Sequence, residues 1–319
     1  MNVKPAAKGH WFPGRVLMLF VAALTAAVPL SAHAADEPLR VDTKLRERST
    51  SVIRQVFERE QRWVKVHATE YLLALDYPGG VREAFIKELG LHGDEPQYRI
   101  GIWRVLARAA NSEREQAEWI GKIRDVFLDR AAPDRLHAAE TLAKLRYQVH
   151  GDEAAAMEQA AQPENGPLAL YAVWVLANSE HPGAEARLAE LLDSPEAGVR
   201  LGAAYALRHL PSVSPAAREK LLAAARREPA DSKARAYILA AAAVHASSDD
   251  RSSLKAELTN LAVKGDKDGR IAACQTLAQI GDNSDVPLRG QLLDAPDPDL
   301  RATAADAILR IGRRVPHHL

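Results

Sequence analysis

A twelve-residue pattern recurs eight times along the chain, and a fixed period of this length constrains the fold more than any local propensity does. Its clearest copies are VRLGAAYALRHL (199–210), GRIAACQTLAQI (269–280) and LRATAADAILRI (300–311). Each carries a basic residue, a small residue three positions on and a large aliphatic residue seven positions on. Anchored on the basic position, the series runs Lys65, Arg99, Arg135, Ala169, Arg200, Lys233, Arg270 and Arg301, with spacings of 31 to 37 residues. Three positions on stand Ala68, Ile102, Ala138, Ala172, Ala203, Ala236, Ala273 and Ala304; seven on stand Leu72, Leu106, Leu142, Leu176, Leu207, Ala240, Leu277 and Ile308. Offsets of 0, 3 and 7 share one side of a 3.6-residue helix, so each copy reads as an amphipathic helix whose small residues permit a close neighbour.

In most copies a second helical stretch precedes the first, as at 113–129, 184–193 and 252–263. Between the two lie breakers and cap formers: DEPQ at Asp94, AAPD at Ala131, PENGP at Pro163, DSPEAG at Asp193, EPADS at Glu228, GDKDG at Gly265 and DAPDPD at Asp294. Proline cannot continue a helix interior, while Asp and Ser accept from the free N–H groups of the next helix start. Two helices per period follow. Aromatic residues make up only 5% of the chain and β-branched residues are sparse, which favours helix over a sandwich, barrel or open sheet.

LLDSPEAGVRLGAAYALRHL and LLDAPDPDLRATAADAILRIG resemble HEAT repeats, in particular the short form found in the HEAT-like repeats of phycobilin lyases. The resemblance covers roughly Leu45 to Gly312. It implies an all-α, right-handed α-α superhelix, an armadillo-like α-solenoid of about eight hairpins whose second helices line a concave face. The first four copies depart from it in being richer in aromatics, and Ala169 replaces the usual basic residue. A single hairpin cannot bury its apolar face alone, so each leans on the next, and both ends of such an array are expected to need polar caps. The charged segment at 36–49 and RVPHHL at the C-terminus suit that role.

The first 34 residues read as a secretory signal. Lys4, Lys8 and Arg15 form a positive start without acids, Val16 to Leu30 is apolar, and Ala32-His33-Ala34 gives a small-x-small cleavage pattern. The apolar run falls short of the ~20 residues that cross a bilayer, and Pro29 breaks its end. The expected organisation is therefore a signal at 1–34, a linker at 35–44 and a repeat solenoid at 45–315, located in the periplasm or secreted, without stable membrane insertion. Loss of the signal leaves 39 (42 less 3) basic residues against 42 acidic ones, interspersed, which offers no footprint for nucleic acid. A lone Cys274 makes no intramolecular disulfide.

Offsets 2, 5 and 9 from the anchor lie opposite the small and aliphatic seam, and residues there are expected to point away from the core. They are His67 and Glu70, Arg104 and Arg108, His137, Glu140 and Lys144, then Tyr171, Trp174 and Asn178, Tyr205 and His209, and finally Arg235 and Ile238. Charge fills the first half and aromatics cluster mid-array, where large rings on an outward face suggest a binding surface. From this face Arg104, Arg108, Tyr171, Trp174, Asn178, Tyr205, His209 and Arg235 are the candidate binding residues. The alternative is that the superhelix buries Trp174 and Tyr205 between hairpins or in a narrow groove.

His67/Glu70 and His137/Glu140 have metal-ligand spacing, but two repeats separate them, about 20 Å at the usual helix packing distance, so no shared metal site is expected. Cys274 occupies a small seam position and reads as a buried, inert thiol. The basic anchors read as a structural ladder, bonding the acids and carbonyls of the preceding turn, with Glu196, Asp268 and Asp299 nearby. No phosphate loop, nucleophile elbow or zinc motif occurs. The expectation is a non-catalytic scaffold without cofactor, whose concave face holds a protein or peptide of the cell envelope. Alternatives are an enzyme, either lyase-like, implied only by the resemblance, or a polysaccharide-active α/α toroid, which normally has longer hairpins and an aromatic-lined carboxylate cleft, and a binder of glycan or small ligand on the aromatic patch.

Overall fold

The structure, a computed structural model, describes residues 41–313. The expected signal at 1–34, most of the linker and the C-terminal RVPHHL segment lie outside the described residues. The described chain is all-α and builds eight hairpins. They pair α1 (Thr43–Arg59) with α2 (Arg62–Ala74), α3 (Val81–His92) with α4 (Tyr98–Arg108), α5 (Glu113–Leu128) with α6 (Arg135–Lys144), and α7 (Gly151–Ala160) with α8 (Pro167–Asn178). The second half pairs α9 (Ala184–Leu191) with α10 (Ala197–His209), α11 (Pro215–Arg227) with α12 (Arg235–His245), α13 (Ser248–Lys264) with α14 (Lys267–Ile280), and α15 (Val286–Leu292) with α16 (Pro298–Arg313).

Every even-numbered helix coincides with one copy of the repeated pattern. All sixteen residues at offsets 3 and 7 are buried, from Ala68 and Leu72 to Ala304 and Ile308. Small side chains at offset 3 let neighbouring helices approach, and at Gly202 the approach is closer still: a Cβ there would meet Leu170 Cδ1 at 2.6 Å. Helix starts follow the composition of the turns. Asp266 accepts from Gly269 N at 2.8 Å and Asp297 from Leu300 N at 2.9 Å. In the fourth hairpin the turn is a short 3₁₀ segment, Pro163–Asn165, followed by Gly166 at φ 55°, a backbone region that a side chain disfavours.

The basic anchors do form a ladder, with different partners from those expected. Carbonyls of the preceding turn or helix are bonded as foreseen: Arg200 reaches Ser194 O, Arg301 reaches Ala295 O, Arg135 reaches Phe127 O and Arg270 reaches Ala262 O. The carboxylates come instead from the next hairpin. Arg99 binds Asp134 at 2.7 and 3.0 Å, Arg200 binds Glu228 at 2.7 and 2.8 Å, and Lys65 lies 3.0 Å from Glu88. Three of the anchors thus reach forward along the array, Arg99 and Arg200 to acids at the turn of the next hairpin and Lys65 to its outer helix.

The open array with separate end caps is corrected by the structure. Helix α16 packs on α14 at one side and on α1 and α2 at the other, so the even-numbered helices close into a ring with the odd-numbered ones outside. Eleven residues of α16 are buried, including Asp299, Thr303 and Asp306, whereas a terminal cap helix would leave one flank in water. Polar bonds join the two ends of the sequence: His67 Nδ1 to Asp299 at 3.0 Å, Tyr71 Oη to Thr303 Oγ1 at 2.8 Å, and Arg313 to Leu75 O. Val41 lies over Gly312, where a Cβ would sit 3.0 Å from Val41 Cβ. No helix among the described residues is long and apolar enough to cross a membrane.

Candidate functional site

Closure turns the inner face of the array into a cavity of about 550 Å³. Residues of α2, α4, α6, α8, α10, α14 and α16 line it, largely from offsets 5, 8 and 9 of the repeat, so the C-terminal halves of the inner helices converge there. Offsets 5 and 9 are one helical turn apart and stack as pairs. Glu140 pairs with Lys144 at 2.8 Å and Asp306 with Arg310 at 2.8 Å, while the rings of Tyr205 and His209 lie 4.5 Å apart. Helix C-termini are the negative ends of their dipoles, and donors meet the carbonyls that they leave free. Asn178 Nδ2 donates to Ala143 O at 2.8 Å and His209 Nδ1 to Tyr205 O at 2.7 Å.

Of the eight candidate binding residues, Arg108, Trp174, Tyr205 and His209 line this cavity. The alternative reading of this face holds: it points into the ring rather than to open solvent, and Trp174 is only 1% exposed. Arg104 lies behind the lining, buried, and bonds Glu70 at 2.7 Å and Thr141 at 3.1 Å. Asn178 is spent on the carbonyl of Ala143. Tyr171 lies off the lining, half-buried, its phenol pushed up by burial and then by Glu140. Arg235 faces away from the cavity and binds Ala225 O and Glu257. His137 stacks on Trp63 at 5.9 Å, and Ile238 is fully buried.

An aromatic wall forms on α8 and α10. Trp174 and Tyr205 meet edge to face with centroids 5.6 Å apart, and Tyr237 of α12 extends the cluster at 6.3 Å. Burial, and then the Arg208 charge, push the His209 imidazole down to about 3, so it is neutral; with Nδ1 donating to a carbonyl, Nε2 carries the lone pair. Opposite this wall, Tyr71 Oη bonds Thr303 and accepts from Gln275 Nε2 at 3.1 Å. Burial pushes this phenol up, and Asp306 adds to the shift.

Every carboxylate at the cavity is matched by a cation. Glu70 is held by Arg104 and by Arg108 at 2.6 Å; burial alone would raise its carboxyl, and these two guanidinium groups with Lys144 bring it down to about 2. Glu140 has Lys144 and Asp306 has Arg310, while Asp299, off the lining, lies 3.0 Å from the His67 imidazole. Sequence reasoning missed Arg208, Arg146, Gln275, Asp306 and Arg310. The last two had a visible signal, since Asp306/Arg310 repeats the offset 5/9 charge pair of Glu140/Lys144. Arg208, at offset 8, had none.

No group of three or more metal-ligating side chains occurs among the described residues. Cys274 is fully buried, and burial pushes its thiol up to about 11. No family model and no curated protein matches the sequence. Among solved structures the chain is similar to human deoxyhypusine hydroxylase in complex with glycerol, at 14% identity and a TM-score of 0.38, covering 85% of this chain and 98% of that one. It is also similar to two engineered proteins. One shows 16% identity and a TM-score of 0.35 over 66% of this chain and 96% of that one; the other shows 17% and 0.34 over 82% and 78%.

Proposed function

We propose that this protein is a non-catalytic receptor for a small molecule held at the centre of the ring. The supporting observation is the closure by α16, which turns an open concave face into a central, half-open cavity of about 550 Å³. That volume suits a single drug-sized ligand, whereas a stable protein interface needs about 800 Å² on each partner. The lining combines an aromatic wall, Trp174 and Tyr205, with polar groups that converge from several helices, the combination by which such sites hold and orient a ligand. The large apolar side chains exposed among the described residues are Ile86, Leu91, Leu128 and Val263, scattered over three outer helices rather than gathered into a docking patch. With a secretory signal at 1–34, such a receptor would work in the periplasm.

The protein purified under native conditions from its own cell envelope should carry a small molecule at one copy per chain, seen in native mass spectra and lost on denaturation. Trp174→Phe, which keeps an aromatic ring and removes the indole N–H, should weaken its retention while leaving the circular dichroism unchanged. A chain that is always empty and co-purifies with one stoichiometric protein, indifferent to Trp174, would overturn this reading in favour of the scaffold.

A further inference from the structure

We infer that the ligand carries an oxyanion, a carboxylate or a phosphate, seated on Arg208 beside the indole N–H of Trp174. This rests on the receptor reading above and names the chemical class that the cavity takes. Two arginines are buried on the inner helices, Arg104 behind the cavity lining and Arg208 in it, and their partners differ. Arg104 is 1% exposed and its charge is met by Glu70. Arg208 is 4% exposed and, among the described residues, has no carboxylate partner. It reaches past α12 to α14, where its contacts are neutral: Gln275 Oε1 at 3.0 Å, Thr276 Oγ1 at 3.4 Å and Ala272 O at 3.5 Å, with His209 Nε2 also at 3.5 Å. Only the first has the length of a firm hydrogen bond. Arg208 Nε has no partner at all.

A guanidinium taken out of water without a counter-charge is costly, and burial accordingly pulls Arg208 below the ordinary arginine range. Trp174 Nε1 is a second donor without a partner, equally buried, on the neighbouring helix. Both groups flank one ring: Trp174 meets Tyr205 at 5.6 Å and Arg208 Cζ lies 5.9 Å from its centroid. Indole and guanidinium N–H groups can only donate, so what completes them is an acceptor. With each carboxylate of the cavity already matched, Arg208 is surplus, and so is the exposed Arg146, which forms no ion pair among the described residues and lies near enough to oppose the protonation of His209. The surplus is positive, and the incoming acceptor is therefore negative. Tyr205 and Trp174 would bear the apolar body to which the anionic group is attached.

Thermal unfolding of the intact protein tests this with benzoate, phenyl phosphate and the neutral isostere benzamide. A saturable rise in melting temperature is expected with one or both anions, the larger effect telling carboxylate from phosphate, and none with benzamide. Arg208→Gln should lose about tenfold or more of the affinity, the loss of a charge-assisted hydrogen bond. A second readout needs no ligand: Arg208→Met should raise the melting temperature of the empty protein by about 2 to 4 °C, whereas Arg104→Met, which strands Glu70, should lower it. Equal effects of benzoate and benzamide, or a fall for Arg208→Met like that for Arg104→Met, overturn the inference. A neutral compound found in the native protein would also overturn it and leave the receptor reading standing.

Discussion

At the scale of single residues, the cavity is governed by charges that the fold has largely balanced. Glu70 and His209 both move downward, to about 2 and about 3 from ordinary values of 4.5 and 6.5. As pH falls below 6.5, unfolded chains take up a proton at position 209 that folded chains refuse, and below 4.5 the same holds at position 70. Stability therefore rises with pH across the window from about 2 to 6.5, by about 1.4 kcal/mol per unit for each group titrating. Urea unfolding at pH 5 and pH 7 should show the native protein weaker at pH 5, and His209→Gln should reduce the difference; His245, also lowered by burial, keeps a remainder. An unchanged difference in His209→Gln would remove His209 from the account. The inward positions of Arg108, Trp174, Tyr205 and His209 were legible as one face from their offsets. Which side of the ring that face would meet was not, because helical spacing fixes an angle around one helix and says nothing of where the array bends.

Among elements, the period placed all eight inner helices and the seven intervening turns, since offsets 3 and 7 report a buried seam directly. It did not give the partners of the anchors. Those depend on how far one hairpin is shifted against the next, a quantity with no trace in the sequence of either. Asp134 shows what the forward-pointing ladder contributes: it is fully buried in the turn before α6 and takes both donors of Arg99 at the start of α4. Asp134→Ala should destabilise the protein by about 3 kcal/mol, the lower end of the cost of breaking a buried pair, because Arg99 keeps some access to water. Urea unfolding measures it, and a loss no larger than that of a surface substitution would mean that water replaces the carboxylate without cost.

For the molecule as a whole, closure was the part that the sequence concealed. The bonds that make it, His67 to Asp299 and Tyr71 to Thr303, join residues 232 positions apart, and the helices involved look no different from their sister copies. A hint lay in α16, which keeps apolar and small residues on both flanks where the last helix of an open array would turn polar on one. Because residues 41 and 312 touch, a chain permuted to join them by a short linker and opened at the exposed Pro211–Ser212 turn should fold with unchanged helix content and melt in one transition. Graded melting of the permuted chain, or its association into larger rings, would show that the seam needs the native order of hairpins. That seam also sets a timetable for the newborn polypeptide. Helix α1 cannot find its neighbour α16 until that helix too has been made, so its hairpin waits through the synthesis of all the hairpins between with one flank bare, a state that a holding chaperone would protect.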